Sequence, residues 1–194
     1  SVFEKGFLQD VRHNLWECFF ITHSLRKDLP MKLTTIIPVH NAEKYITATL
    51  DSVLQQDLGN PEELEVICVD DASTDASVAL IKDYQQKDSR IRLFLNEKTR
   101  FAGACRNKGI EEAHGDYLHF LDADDLVEKG AYQKYLSIAE QAGADMVKGC
   151  AVCFDNETGE LSDTPLFALS DVPAECFDKV LNFHQAPEIF SHIS

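Results

Sequence analysis

From residue 33 onward, short apolar runs alternate with longer amphipathic stretches. The runs at 33–39 and 64–70 are almost continuously apolar, which is typical of strands buried in a parallel sheet. Each run is followed by a stretch with helical periodicity. This order predicts an open, mostly parallel, Rossmann-like α/β sheet with helices on both faces. The predicted strands are 33–39, 64–70, 91–96, 116–122 and 145–154, and the predicted helices are about 41–56, 73–88, 102–114 and 128–143.

Residues with capping side chains stand where two of these helices are predicted to begin. Asn41 is expected to cap the first helix, and Ser73, Thr74 or Asp75 is expected to begin the second. Both positions directly follow a predicted strand. They therefore lie at the edge of the sheet where open α/β proteins bind ligands.

Two acidic groups are predicted to reach that same edge. Asp70 and Asp71 end the second predicted strand, and Asp122, Asp124 and Asp125 end the fourth. Carboxylate oxygens are hard ligands that suit Mg²⁺ or Mn²⁺, and Mg²⁺ commonly binds one or two carboxylates together with substrate phosphates. The sequence therefore predicts a divalent-cation site. Strand ending and helix capping are the alternative interpretation, and Asp75 and Asp125 fit it at least as well.

Basic residues between the two acidic groups are expected beside them. Arg100, Arg106 and Lys108 lie near the start of the third predicted helix. Arginine side chains and helix N-termini both bind phosphates. An ion pair of Arg106 with Glu111 or Glu112 is the alternative interpretation.

The composition excludes several classes of function. The formal net charge of −15 excludes a protein that binds nucleic acid through its phosphates. The six cysteines are dispersed, and Cys150 and Cys153 have no second Cys/His pair at zinc-ligand spacing, so a reduced compartment is expected. No run approaches the roughly 20 apolar residues that span a bilayer, and no signal-peptide pattern is present.

The ends of the chain depart from the alternating pattern. Residues 1–30 are predicted to be a helical extension or linker, with Val11, Leu15, Cys18 and Phe19 on one stripe. Residues 31–155 form the predicted ligand-binding domain. Residues 156–194 are interpreted as the start of a further, truncated region.

Three stretches resemble the family-two glycosyltransferases of the GT-A fold. They read TTIIPVHNAEKYITATLDSVLQQ (34–56), EVICVDDASTDAS (65–77) and GACRNKGIEEAHGDYLHFLDADD (103–125), in the order and at the spacing of that family. The resemblance covers about residues 32–155. It implies a GT-A fold, a nucleotide-diphosphate sugar as donor with UDP as the default nucleotide, and Mn²⁺ or Mg²⁺ as cofactor.

The resemblance also implies roles for individual residues. His40, where the family often has an aromatic residue, lies against the base, and Asp71 accepts a hydrogen bond from uracil. Asp122 contacts ribose or metal-bound water, and Asp124 binds the metal. The implied donor-binding residues are Pro38, His40, Asn41, Asp70, Asp71, Arg100, Arg106, Asn107, Asp122 and Ala123, with Asp70 alternatively structural, and the implied metal ligands are Asp124 and Asp122.

The implied reaction is inverting sugar transfer to an acceptor hydroxyl of a surface glycan or lipid-linked saccharide. A cytoplasmic location is expected, with peripheral association at the inner face of the membrane. The family's general base is an acidic residue well downstream of Asp124, and none is identifiable before residue 194. A donor-binding fragment or scaffold domain without a complete catalytic site is therefore the alternative, and the oligomeric state stays open.

The motifs of two other classes of nucleotide- or phosphate-binding protein are absent from this sequence. A dehydrogenase needs G-x-G-x-x-G in the first strand–helix turn, and the turn after residue 39 contains no glycine. A phosphoryl-receiver domain needs an acidic pair after the first strand, where this chain has Pro38-Val39-His40.

Overall fold

The computed structural model describes residues 18–21, 32–144 and 146–148 of the 194-residue chain. Phe19–Val147 form one compact unit, and of a second unit only Cys18 and Lys148 belong to the described residues. The strands are β1 (Cys18–Ile21), β2 (Leu33–Val39), β3 (Leu64–Asp70), β4 (Ile91–Leu95), β5 (Tyr117–Phe120) and β6 (Met146–Lys148). The helices are α1 (Ile46–Leu54), α2 (Ser77–Lys87), α3 (Phe101–Glu112) and α4 (Ala131–Ala142), with a 3₁₀ turn at Pro61–Glu63.

One sheet contains these strands in the order β4-β3-β2-β5-β1-β6. The pairs β2–β3, β3–β4 and β2–β5 are parallel, with Val39 opposite Asp70 and Ile36 opposite Phe120. Successive strands first add on one side of β2, and β5 then returns to its other side. Such a reversal opens a crevice at the carboxyl ends of the strands.

The two faces of the sheet bury different helices. Ile36 belongs to an apolar cluster that includes Cys105 of α3, whereas the hydroxyl of Thr35 lies 2.9 Å from the hydroxyl of Tyr132 on α4. Because neighbouring residues of a strand point to opposite faces, α3 and α4 lie on opposite sides of β2. The prediction of a mostly parallel α/β sheet with helices on both faces is confirmed.

Glycine allows α3 to approach β2 closely. A Cβ atom at Gly109 would overlap with the side chain of Ile36, and both positions are buried. The predicted strands 33–39 and 64–70 agree with β2 and β3 to the residue. The other predicted elements that fall on described residues agree in type.

The expected cap of the first helix is wrong. Asn41 has a left-handed backbone (φ 51°), and α1 begins five positions later at Ile46 without a side-chain cap. The second helix begins at Ser77, whose backbone N–H donates to Oδ1 of Asp75 (3.0 Å). The structural interpretation of Asp75 is therefore supported.

The predicted helical stripe in residues 1–30 does not extend to its C-terminal members. Cys18 and Phe19 belong to β1, which pairs antiparallel with β5, with Phe19 opposite His119. Pairing with a distant edge outweighs the local helical periodicity there. Val11 and Leu15, the cysteines 150 and 153, most of the predicted strand 145–154 and the whole of 156–194 lie outside the described residues. Within the described part, no helix is long and apolar enough to cross a bilayer.

Candidate functional site

A cleft of about 330 Å³ opens at the carboxyl ends of β2, β3 and β5. It lies at the side of the sheet where the strand order reverses, as the topology requires. The lining residues come from the segment after β2, from Asp71 after β3, from α3 and from the segment after β5. They are Pro38, Val39, His40, Asn41, Ala42, Tyr45, Asp71, Ala102, Cys105, Arg106, Asp122, Ala123 and Asp124.

Two loops that form one side of the cleft are hydrogen-bonded to each other. We call residues 40–45 the first loop and residues 71–77 the second loop. Glu43 N–H donates to Oδ2 of Asp75 (3.0 Å), and Ala76 N–H donates in return to Oε2 of Glu43 (2.9 Å). Ala42 N–H donates to Oγ of Ser77 (2.8 Å). These reciprocal bonds satisfy backbone donors of the two loops, just ahead of helices α1 and α2.

Asp71 organises the approach to α3. Its Oδ1 accepts hydrogen bonds from Arg100 N–H (2.7 Å) and from the side-chain amide of Asn96 (3.0 Å), and its Oδ2 accepts one from Phe101 N–H (2.8 Å). Burial acts to raise the pKa of Asp71, but these bonds outweigh it and hold the pKa below its usual value. Asp71 is thus a charged, 4 % exposed group at the cleft that fixes the start of a helix.

The backbone at the start of α3 is strained. Phe101 has a left-handed backbone (φ 66°), and 78 % of the residue is exposed. Left-handed backbone is unfavourable for a residue with a side chain. The bond from Phe101 N–H to Asp71 contributes to holding this conformation, which brings Ala102 and Arg106 to the cleft.

An ion pair joins α3 to the acidic segment after β5. Nη2 of Arg106 lies 2.7 Å from Oδ1 of Asp122, and both side chains are partly exposed. Glu112 instead contacts Lys108 (2.7 Å) and Arg92 (3.3 Å). The interpretation that pairs Arg106 with Glu111 or Glu112 is therefore wrong, since its ion pair is with Asp122. Lys108 does not line the cleft.

The acidic segment concentrates negative charge at the cleft. Asp122 and Asp124 both line it. Loss of solvent first, and then the charges of Asp124 and Asp122, raise the pKa of the neighbouring Asp125 to about 6. A cation at this segment would offset that repulsion.

The donor set fits a hard divalent cation only in part. No three His, Cys, Asp or Glu side chains converge on one point among residues 18–21, 32–144 and 146–148. Two carboxylates are nevertheless what Mg²⁺ takes when phosphate oxygens and water complete its shell. The residues present fit a cation that binds together with a phosphate ligand.

Most of the residues predicted for the site line the cleft. Asp70, Arg100 and Asn107 do not. The side chain of Asp70 is buried, with Oδ2 accepting from Ser73 N–H (3.1 Å) and no partner for Oδ1 in the described part of the chain. Arg100 contacts Asp71 through its backbone, and the Asn107 side chain is exposed.

The cleft also includes lining residues that are absent from the predicted site, among them Ala42, Tyr45, Ala102 and Cys105. Sequence reasoning gave no role at the site to the two larger side chains, Tyr45 and Cys105. Tyr45 is 38 % exposed and lies directly before α1. A tyrosine beside an amphipathic stretch is the signal in the sequence that could have indicated a cleft residue. Cys105 is fully buried, and its Sγ lies 3.4 Å from the Asn96 amide. Burial raises the pKa of Cys105 to about 11, with the charge of Asp71 adding to it, so the thiol stays protonated. Cys68 and Cys105 are both buried free thiols.

Several known proteins are similar in sequence to this chain. A family model described as glycosyl transferase family 2 matches residues 34–191. An uncharacterized glycosyltransferase of Haemophilus influenzae is 36 % identical over 129 residues, which are 66 % of this chain and 50 % of that protein. The poly(ribitol-phosphate) beta-glucosyltransferase of Bacillus spizizenii is 34 % identical over 120 residues, covering 61 % of this chain and 19 % of that protein.

A solved structure shares the fold and contains a nucleotide sugar. S. aureus TarS 1-349 in complex with UDP-GlcNAc is 29 % identical, with a TM-score of 0.56 over 67 % of this chain and 37 % of that one. The chain thus spans half or less of the length of these relatives.

Proposed function

The chain belongs to glycosyl transferase family 2, and on that premise we propose that its cleft binds a nucleotide-diphosphate sugar for transfer to an acceptor hydroxyl. UDP is the nucleotide we propose, because the TarS structure contains UDP-GlcNAc and is 29 % identical to this chain over the matched region. We further propose transfer with inversion in a single displacement, as the family resemblance implies.

One observation carries the proposal. A cationic side chain, an acidic pair and a loop with an aromatic ring line one cleft at the edge where α/β sheets bind ligands. Arg106 suits a diphosphate, and Asp122 and Asp124 suit the cation that accompanies it. His40 also lines the cleft and contacts the backbone carbonyl of Asp71, and we propose that the base is held against this ring.

We propose Mn²⁺ or Mg²⁺ as the cofactor, held by Asp124 and Asp122. The bound cation would neutralise the departing diphosphate. Arg106 would remain paired with Asp122 and present its other guanidinium donors to the phosphates. Asp71 would keep the start of α3 in place, and its remaining acceptor capacity would face the base.

The general base is not assigned. The carboxylates that line the cleft in the described residues are Asp71, Asp122 and Asp124, and all three have other roles in the proposal. This observation favours a second candidate function, in which the chain binds the donor without a complete catalytic site. The carboxylates at 163, 171, 175, 178 and 188 lie outside the described residues.

The acceptor is proposed from relatives. The Bacillus spizizenii relative is a poly(ribitol-phosphate) beta-glucosyltransferase, so a surface glycan or its lipid-linked precursor is the acceptor class we propose. A cytoplasmic location with peripheral contact at the inner face of the membrane follows from that acceptor and stays a proposal.

Calorimetric titration of UDP in the presence of Mn²⁺ tests the proposal. The wild type should bind, Asp124→Asn should lose the Mn²⁺-dependent part of the affinity, and Asp83→Asn should bind as wild type. Asp83 is an exposed residue of α2 away from the cleft and gives the same change of charge. Equal UDP affinity in Asp124→Asn and wild type would overturn the metal assignment, and no UDP binding at all would overturn the function. A transfer assay on this chain and on a longer one separates the two candidate functions.

A further inference from the structure

The orientation of the Asn41 amide is determined by its partners. One side-chain atom lies 2.9 Å from the backbone N of Thr74 and 3.3 Å from its hydroxyl. A backbone N–H can only donate, so the amide atom that faces it must be the oxygen. The amide nitrogen then points at Nε2 of His40, at 3.2 Å.

The protons of His40 follow from this orientation. An amide N–H₂ group can only donate, so Nε2 of His40 must accept and carries no proton. Nδ1 of His40 lies 2.8 Å from the carbonyl oxygen of Asp71, which can only accept, so Nδ1 carries the proton. His40 is therefore the neutral Nδ1–H tautomer, with both ring nitrogens engaged in the plane of the ring.

We propose that Asn41 is a positioning residue that holds His40 as this neutral tautomer, so that the imidazole offers only its face to the base of the nucleotide. The inference rests on the proposed function. It changes the role of Asn41 from a donor-binding residue to one that acts through its neighbour. A neutral ring with no free nitrogen contributes stacking and no hydrogen bond to the base.

The contact with Asn41 excludes a proton on Nε2 of His40. Such a proton would face the N–H₂ group of Asn41, and rotation of the amide would remove its oxygen from Thr74. The other charged or titratable groups that line the cleft or lie in the two loops are Tyr45, Asp71, Arg106, Asp122, Asp124, Glu43, Lys44 and Asp75. These groups are unchanged in every variant below, so differences between the variants report on the contact between Asn41 and His40.

Asn41→Asp is the diagnostic variant. Aspartate keeps an acceptor for Thr74 and tolerates the left-handed backbone of position 41, but it offers His40 an acceptor in place of a donor. The two ring nitrogens of His40 can be read by ¹⁵N NMR without any ligand. The wild type should show Nδ1 protonated and Nε2 bare, and Asn41→Asp should show a proton on Nε2, because its carboxylate offers an acceptor there.

UDP titrations with Mn²⁺ at pH 7.5 complete the test. Asn41→Asp should weaken UDP binding at pH 7.5 by about fivefold to tenfold. In a His40→Phe background, which keeps the ring face, the same substitution should have no further effect. Thermal unfolding of each variant establishes that it is folded.

Three results would overturn the inference. The first is a protonated Nε2 in the wild type, and the second is unchanged ring nitrogens in Asn41→Asp. The third is an equal loss of UDP affinity when Asn41→Asp is added to His40→Phe. That result would mean that Asn41 touches the nucleotide directly. Failure of the wild type to bind UDP would instead overturn the proposed function, and with it the role of the ring face. The tautomer is measured without ligand, so the two failures are distinguishable.

Discussion

Arg106 and Asp122, separated by 16 positions in the sequence, form an ion pair of 2.7 Å at the cleft. Both side chains retain solvent contact, at 36 % and 56 % exposure, so the pair is available to a ligand. A diphosphate that binds Arg106 must share the guanidinium with Asp122. Under the proposed function, the pair would therefore couple phosphate binding to the position of a proposed metal ligand.

Replacement of Arg106 by methionine tests this coupling. Loss of the guanidinium should weaken UDP binding in Mn²⁺ by about tenfold, because removing the partner of a metal-binding carboxylate commonly costs that much. Uridine has no phosphates, so its affinity should change little. Calorimetry with both ligands measures the difference. An equal loss for uridine and UDP would mean that the substitution distorts the whole cleft.

The left-handed backbone of Phe101 predicts an unusual order of stability. Phe101→Gly should be more stable than Phe101→Ala by about 1 kcal/mol, because glycine adopts a φ of 66° without the steric cost that alanine incurs. The backbone N–H that donates to Asp71 is retained in both variants. Urea unfolding measures the free energies. If residue 101 had ordinary helical backbone, the alanine variant would be the more stable one.

Two glycines of α3 should respond oppositely to alanine. Gly109→Ala should lower the free energy of unfolding by about 1–3 kcal/mol, since the new methyl group would overlap with Ile36 in the core. Gly103→Ala should raise it by about 0.5–1 kcal/mol, because that position has open space and alanine favours the helix. Chemical denaturation of both variants measures the two free energies of unfolding. Similar effects at the two positions would contradict the close contact between α3 and β2.

The buried His119 predicts a loss of stability in mild acid. Burial lowers its pKa to about 3, from a usual value of 6.5, and its Nδ1 lies 2.8 Å from the hydroxyl of Tyr132. Between these two pKa values the unfolded chain binds a proton that the folded chain does not, so stability decreases as the pH falls from 6.5. The slope reaches at most about 1.4 kcal/mol per pH unit.

His119→Gln removes this contribution, and its curve of unfolding free energy against pH should be flatter than that of the wild type between pH 6.5 and 4.5. Asp125, with a pKa raised to about 6, acts in the opposite direction, so the comparison between proteins is the test. Parallel curves for wild type and His119→Gln would refute the prediction.

Much of the fold could be predicted from local sequence. β2 and β3 are almost continuously apolar because helices cover both faces of the sheet, so each apolar run marks the position of a strand in the sequence. The meeting of Asp71 with the acidic segment at one edge follows from parallel topology alone. Both predictions needed only the order of the elements and the direction of the strands.

The features that could not be predicted depend on contacts between residues that are far apart in the sequence. The late start of α1 follows from bonds between Asn41 and Thr74, which are 33 positions apart. The strand state of Cys18–Ile21 follows from pairing with β5. The roles assigned to individual site residues stay predictions, because their positions at the cleft do not establish what they bind.

The reciprocal bonds between the first and second loops have a consequence for protein engineering. Each loop supplies acceptors for backbone donors of the other, so neither conformation is encoded by its own residues alone. A chimera that receives one loop from a relative would place foreign side chains against native donors and would lose these bonds. Exchange of residues 40–45 together with 71–77 preserves them, which makes the two segments a single transplantable unit despite the intervening helix and strand.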